Sequence, residues 1–333
     1  LVLDEPTAVL TITEIQKLFQ VLKQLRKEGV SIIYISHRLD EIFELSDRIT
    51  VLKDGKYVDT VDTSSISKEQ LVTMMVGREI SQMFPKRNAK IGEEVLRVKG
   101  LCAGKTVQNV SFYVRSGEIL GFSGLVGSGR TETMRAVFGA DKKDSGEITY
   151  LGEQVTFRDC RSAIIHGFGM LPENRKEQGL LLDQSIRINS TLAVLNKKIS
   201  KAGFIPHRQE KNFVRELLES ISTKYGSTED KVNSLSGGNQ QKVSLAKWIA
   251  ADCRCIVLDE PTRGVDVGAK VEIYELITQI AEQGVAVIMI SSEMPEIIGL
   301  CDRVVVMRQG KVTGEFSKED ITENNLIKAA MEV

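Results

Sequence analysis

The sequence predicts an α/β protein in which strands and helices alternate around a mostly parallel sheet. Three observations carry that expectation. Short apolar, β-branched runs of strand length, such as residues 255–258 and 285–290, are each followed by a segment with helical spacing or a turn. A glycine-rich stretch, Gly124-Leu125-Val126-Gly127-Ser128-Gly129-Arg130-Thr131, joins one such strand to a helical segment. The chain also resembles itself at a fixed offset of 255 residues, the spacing between Asp4 and Asp259.

The repeat organises the chain. Leu3-Asp4-Glu5-Pro6-Thr7 recurs as Leu258-Asp259-Glu260-Pro261-Thr262, and the same offset carries Gly29 onto Gly284, Ile35-Ser36 onto Ile290-Ser291, Glu41-Ile42 onto Glu296-Ile297, Asp47-Arg48 onto Asp302-Arg303 and Gly55-Lys56 onto Gly310-Lys311. No gap is needed. Residues 1–77 therefore read as the tail of one domain and 95–333 as a second copy. Residues 78–94, polar and carrying Pro85, Lys86-Arg87 and Gly92, read as the linker. Leu1 opens directly on an apolar strand, so the expectation is a first copy truncated ahead of that strand.

The elements follow from periodicity. In the second copy the sequence predicts a strand over 118–122, a helix from about 131 to 138, and a helical subdomain over about 180–235, where Val214, Leu217, Leu218 and Ile221 share a face. Helices over 240–250 and 267–283 flank the strand at 255–258. Val271, Ile273, Tyr274, Leu276, Ile277 and Ile280 give the second of these its apolar stripe. A strand over 285–290, a short helix over 294–300 and a strand over 304–307 complete the copy. The first copy repeats this tail, with a strand at 31–35.

Composition excludes several classes. Its 333 residues suffice for about two domains. Lys plus Arg total 44 against 45 Asp plus Glu, a net charge of −1 that offers nucleic acid no electrostatic attraction. No apolar run approaches the ~20 residues of a membrane-spanning helix. Cysteines at 102, 160, 253, 255 and 301 are odd in number and irregular in spacing, which argues for free, buried thiols rather than a disulfide framework or a metal site.

Three constellations carry chemistry. The stretch 124–131 matches the phosphate-binding P-loop pattern G-x-x-x-x-G-K-[ST] except that Arg130 stands at the lysine position. Gly124, Gly127 and Gly129 let backbone N–H groups turn inward beside Ser128, and the following helix adds its positive end. Thr131 offers a hydroxyl to Mg²⁺. The plain alternative is a strand-to-helix turn with no ligand. Second, an apolar strand ends in Asp259-Glu260, where Asp259 can hold Mg²⁺ and Glu260 can polarise an attacking water. Third, Ser236-Gly237-Gly238-Asn239-Gln240 places a hydroxyl and free N–H groups at a helix start, a second anion site or a simple N-cap.

Taken in order, the P-loop, Leu-Ser-Gly-Gly-Asn-Gln-Gln-Lys at 235–242, Leu-Asp-Glu-Pro-Thr and an Ile-Ser-His segment resemble an ATP-binding cassette ATPase, a P-loop NTPase with a helical subdomain. The tandem layout and the strings Asp-Glu-Pro-Thr-Arg-Gly-Val-Asp-Val-Gly-Ala-Lys and Ser-Ser-Glu-Met-Pro-Glu are similar to the ATPase subunits of bacterial monosaccharide importers of the ribose, galactose and xylose type. The resemblance covers nearly the whole chain. It implies ATP and Mg²⁺ as ligands, a membrane permease and a sugar-binding protein as partners, no nucleic acid, and a place at the cytoplasmic face of the membrane. It also implies composite sites, in which one domain gives P-loop and acids and the other gives the Ser-Gly-Gly signature, here Ser236, Gly237, Gly238 and Gln240.

Within that resemblance the copies differ. Asp4 and Glu5 are the first copy's metal-holding and catalytic acids, and His37 matches the family's switch histidine; its counterpart is Ser292, followed by Glu293. Arg130 replaces a compact ammonium by a planar fork. Pro172-Glu173 stands where the family's Q-loop glutamine is expected, and Thr11 stands opposite Asp266. These departures imply that Glu5 with His37 serves the hydrolytic site and that the site of Gly124, Asp259 and Glu260 turns over slowly. The charged string 173–177 reads as a solvated loop or as a permease contact. Nucleoside import, a soluble tandem ATPase acting on ribosomes or DNA, and a fragment with little activity of its own are the other readings.

Overall fold

A computed structural model describes residues 1–7, 10–36, 38–53, 55–76, 83–195, 199–200 and 204–331. The chain divides into two compact units, one of Leu1–Met83 with Asp266–Val271, the other of Phe84–Val265 with Glu272–Val333. In the first, β1 (Val2–Asp4), α1 (Ile12–Lys27), β2 (Ile33–Ile35), α2 (Leu39–Leu45), β3 (Arg48–Lys53), β4 (Lys56–Asp62) and α3 (Lys68–Val76) follow in order. β1 and β2 pair in parallel, β3 and β4 form a hairpin, and Leu39, Ile42, Phe43 and Val61 pack on a small core of Ile49, Val51 and Leu71.

The second unit begins with β5 (Glu94–Ala103), β6 (Val107–Arg115), β7 (Ile119–Ser123), α4 (Arg130–Phe138), β8 (Ser145–Tyr150), β9 (Glu153–Val155), α5 (Cys160–Ile165) and β10 (Phe168–Leu171). It continues with α6 (Ile186–Thr191), α7 (His207–Ser220), α8 (Gly237–Ala250), β11 (Cys255–Asp259) and α9 (Val267–Glu282), whose start belongs to the first unit. β12 (Ala286–Ile290), α10 (Met294–Leu300), β13 (Arg303–Arg308), β14 (Lys311–Ser317) and α11 (Glu323–Met331) close it.

Six strands form one sheet in the order β10-β11-β12-β7-β13-β14, parallel except for the last pair. A second, antiparallel sheet runs β6-β5-β8-β9. Every residue of β7, β11 and β12 is buried, which is why these strands read as unbroken apolar runs. Phe112 of β6 meets Phe122 of β7 edge to face at 5.0 Å and joins the sheets. Phe168 of β10 lies within 6 Å of Phe138, Tyr150 and Phe157, an aromatic cluster under α4.

The sequence repeat is a structural repeat. Each element from β1 to α3 recurs 255 residues later, α1, α2, β3, β4 and α3 with the same bounds as α9, α10, β13, β14 and α11, and β1 and β2 as the last three residues of the longer β11 and β12. Register is kept too: Leu3 pairs with Tyr34 and Asp4 with Ile35, while Leu258 pairs with Met289 and Asp259 with Ile290. The hairpins share a register shift, at Val51/Leu52 and Val306/Met307. Burial is not kept. Val2, Ile33 and Ile35 are exposed, whereas their counterparts in β11 and β12 are buried.

Some boundaries move for stated reasons. The helix expected over 240–250 begins at Gly237, because the Ser236 side chain caps it. Residues 173–179, expected as a loop, close into a π-helical turn, Arg175–Gly179, capped by the Asn174 side chain. Cys253, Cys255 and Cys301 are buried free thiols; Cys102 and Cys160 are half-buried, not the buried thiols expected. No helix among the described residues is long and apolar enough to cross a membrane.

The aromatic cluster should dominate the stability of the second unit. Phe168→Ala is expected to cost about 3–5 kcal/mol in urea unfolding, the range for a fully buried ring that leaves a cavity.

Candidate functional site

The site starts where the parallel strands stop. Asp259 pairs with Ile290, and Ile290 with Phe122, so the ends of β11, β12 and β7 lie in one row. Ligands of such sheets bind beyond the carboxyl ends, where strand order reverses. The chain leaves β7 through Gly124, Gly127 and Gly129, with φ of 144°, 80° and 97°. A Cβ on Gly124 would lie 2.2 Å from the Met307 carbonyl oxygen, and one on Gly129 would lie 2.4 Å from that of Thr106. Only glycine fits at either place. Gly129 leads into α4 with no side-chain cap, so the first amides of the helix stay open. Ser128 is buried and its hydroxyl has no hydrogen-bond partner among the described residues.

Asp259 faces this turn. It is 0% exposed, and neither carboxylate oxygen has a hydrogen bond of full geometry among the described residues. Burial pushes its pKa up to about 6, and the Thr131 hydroxyl, approaching more loosely, pulls the other way. An uncompensated buried carboxylate is costly and marks a functional group. Among the described residues no three His, Cys, Asp or Glu side chains cluster as a metal cage. A hard cation such as Mg²⁺ does not need one: it takes one or two carboxylates and completes its shell with water and phosphate oxygens. The inward-facing glycine turn, the open helix start, the orphaned Ser128 hydroxyl, Thr131 and the orphaned Asp259 carboxylate fit a phosphate–Mg²⁺ pair.

Glu260, next to Asp259, sits in the left-handed region at φ 47°, a strain of about 1–3 kcal/mol for a residue with a side chain. Its backbone N–H donates to the Ile290 carbonyl at 2.9 Å, which fixes the turn. Its carboxylate accepts from the Ser292 hydroxyl at 3.1 Å and lies 4.0 Å from the Arg130 guanidinium. Burial raises its pKa, and Ser292 and Arg130 counter that. Arg130 is itself buried and donates to the Ser291 carbonyl at 2.9 Å. The arginine at the P-loop lysine position therefore binds P-loop, strand-end acid and switch position together.

The signature residues lie on another element. Ser236 caps α8, accepting from the Asn239 side chain at 3.0 Å, and Gln240 donates to the Leu235 carbonyl at 3.0 Å. Gly238 and Gln240 are buried. A Cβ on Gly237 would lie 2.9 Å from both the Arg175 guanidinium and the Gly264 carbonyl. Arg175 is not the solvated side chain its charged string suggests. It turns inward to donate to the Arg263 carbonyl at 2.6 Å and the Gly264 carbonyl at 3.0 Å, beside a Glu173–Arg263 ion pair. Sequence reading missed this, because a charged pentapeptide gives no sign of which member points in.

The first copy has the same local backbone. Glu5 has φ 46° and its N–H donates to the Ile35 carbonyl at 2.9 Å. Asp4 is exposed. His37 lies outside the described residues. Thr11 and Asp266, read from sequence as unlike, both begin a helix. Thr11 caps α1, and Asp266 accepts from the Ala269 N–H at 3.0 Å at the start of α9.

Asp259 yields a sign-definite test. Its folded pKa lies above the ordinary 3.8, so its favourable contribution is complete below pH 3.8 and is lost as pH rises through about 6. Asp259→Asn should therefore raise unfolding stability by about 2–3 kcal/mol at pH 8 and leave it unchanged near pH 3.5, measured by urea unfolding at both pH values.

Comparison with known proteins agrees with this geometry. The family model described as ABC transporter matches residues 107–263. The ribose import ATP-binding protein RbsA of Bacillus subtilis is 49% identical over 330 residues, 99% of this chain and 67% of that protein. Ribose import ATP-binding protein RbsA 3 of Rhizobium meliloti is 51% identical over 332 residues, 99% of this chain and 66% of that protein. The chain thus spans about two thirds of the length of these relatives. Among solved structures, a nucleotide-free ATP-binding cassette from an ABC transporter superposes with a TM-score of 0.62 at 20% identity, covering 72% of this chain and 100% of that one, a likeness of fold. The chain belongs to the ABC transporter family of ATP-binding proteins.

Proposed function

We propose that this chain binds ATP with Mg²⁺ and, in a tandem protein of its relatives' full length, hydrolyses it to drive import of a ribose-like monosaccharide through a membrane permease. The observation that carries the reading is the open start of α4 behind three left-handed glycines, facing a buried, orphaned Asp259. That geometry occurs in a chain about half identical to proteins named for ribose import. On this reading the protein works at the cytoplasmic face of the membrane against the permease, a sugar-binding protein delivers the substrate, and no nucleic acid takes part.

Each residue then has a role. The amides of 124–131 and the Ser128 hydroxyl hold phosphate oxygens, and Thr131 and Asp259 hold the metal, as Asp4 does in the first copy. Mg²⁺ supplies charge neutralisation at the phosphates when bound. Glu260 has the position of a water-polarising base. Its carboxylate is engaged by Ser292 and faced by Arg130, which partly offset the rise in its pKa that burial causes. Glu5 keeps the same strained turn and is followed by His37 in place of serine. Glu5 with His37 is the hydrolytic pair, and Glu260 belongs to a slow site. Ser236, Gly237, Gly238 and Gln240 present the N-terminus of a 14-residue helix to a nucleotide held by the other copy.

The test is steady-state ATP hydrolysis in the full-length protein with its permease. Glu5→Gln should lower kcat by about 100-fold or more, the scale of a lost general base, while Glu260→Gln stays within about three-fold. The reverse ranking contradicts the assignment.

A further inference from the structure

Each copy buries a second acid that the functional reading does not use. Glu41 is 3% exposed and Glu296 is 1% exposed, and they are counterparts in the repeat. Glu296 accepts from the hydroxyls of Thr262, Tyr274 (2.7 Å) and Ser291 (2.7 Å). Glu41 accepts from those of Thr7 (2.7 Å), Tyr34 (2.7 Å) and Ser36 (3.1 Å), and also pairs with Arg38 at 2.8 Å. Arg38 has Glu293 as its counterpart, and among the described residues Glu296 has no ion pair. The three hydroxyls are therefore what compensates this buried carboxylate in the second copy.

The threonine and serine occupy equivalent positions in both copies; the tyrosine does not. Tyr34 reaches Glu41 from strand β2, and its counterpart in β12 is Met289. Tyr274 reaches Glu296 from helix α9, and its counterpart in α1 is Phe19. A Tyr/Phe pair in one copy is a Met/Tyr pair in the other. The hydroxyl survives while the residue supplying it changes, so the third donor is required and its origin is not. Burial, aided by the facing carboxylate, holds both phenols protonated as donors.

We infer that Glu41 and Glu296 are positioning residues that staple the turn after the strand-end acid to the switch position, and that each needs three hydroxyl donors to do so. Thr7 and Thr262 lie two residues past Glu5 and Glu260; Ser36 and Ser291 immediately precede His37 and Ser292. One carboxylate thus sets the distance between the two groups that would face the attacking water. In the second copy the same staple reaches the P-loop, because the Ser291 carbonyl takes the Arg130 hydrogen bond. The backbone N–H of Arg38 and of Glu293 donates back to the stapled serine at 3.0 Å in both copies, closing the turn that leads to α2 and α10. This assignment rests on the proposed ATPase reading for its consequence, though the staple itself is geometric.

The test uses two near-isosteric changes in the first copy, in the full-length protein with its permease. Tyr34→Phe removes one oxygen, and Phe19→Tyr added to it returns one from the helix side. ATPase kcat, KM for ATP and the thermal unfolding midpoint are measured on the same samples. Tyr34→Phe should lower kcat about ten-fold at unchanged KM and lower the midpoint, and Tyr34→Phe/Phe19→Tyr should recover both to within about two-fold in rate and one degree. A single variant with unchanged kcat and midpoint, or a double variant that recovers neither, overturns the staple. A fall in midpoint with kcat unchanged makes the acid structural and overturns the positioning role. If the parent protein hydrolyses no ATP, the functional reading fails instead, and recovery or loss of the midpoint alone decides the staple.

Discussion

The row formed by the ends of the parallel strands is the constraint on which the site depends. Pairing of Asp259 with Ile290, and of Ile290 with Phe122, brings an acid, a switch position and a glycine-rich turn to one edge of the sheet. Parallel pairing makes this possible, because it points all the carboxyl ends the same way and leaves their open backbone groups together. The residues just past each strand then decide the chemistry: a left-handed acid after β11, a serine after β12, three left-handed glycines after β7.

The two copies separate scaffold from function. Register, hairpin irregularity, the strained acid after the strand and the buried carboxylate with its hydroxyls are all kept. Among the changes, two fall at the reactive edge: histidine to serine at 37 and 292, and arginine to glutamate at 38 and 293. In the second copy Arg130 and Ser292 together engage the Glu260 carboxylate. A P-loop lysine would serve the phosphates as a point charge; a planar guanidinium can instead lie flat between a carbonyl and a carboxylate. On the proposed reading, the same fold holds a nucleotide in one copy and is better set for hydrolysis in the other.

Much of this was legible in the sequence, for physical reasons. The strands β7, β11 and β12 are buried on both faces and so read as apolar runs, and the glycine spacing of 124–131 is forced by left-handed backbone. The repeat identified counterparts without any structure. Side-chain direction stayed hidden. Sequence could not say that Arg130 turns to Glu260, that Arg175 turns to the Arg263 and Gly264 carbonyls, or that Thr11 and Asp266 share a capping role. Nor did Glu296 stand out, since a buried acid looks like any acid until its hydroxyl partners are assembled from α9 and from the turns after β11 and β12. The Tyr34/Phe19 and Met289/Tyr274 exchange was visible in the aligned repeat, but it becomes a signal only when strand and helix are known to face one carboxylate.

Calorimetric titration of the chain with ATP, with and without Mg²⁺, tests most directly whether the glycine turn and the orphaned Asp259 form a nucleotide site. Saturable binding that Mg²⁺ strengthens, with the Mg²⁺ increment lost in Asp259→Asn, is the predicted result. Absence of binding by the folded chain, or an Mg²⁺ increment that persists in Asp259→Asn, contradicts it.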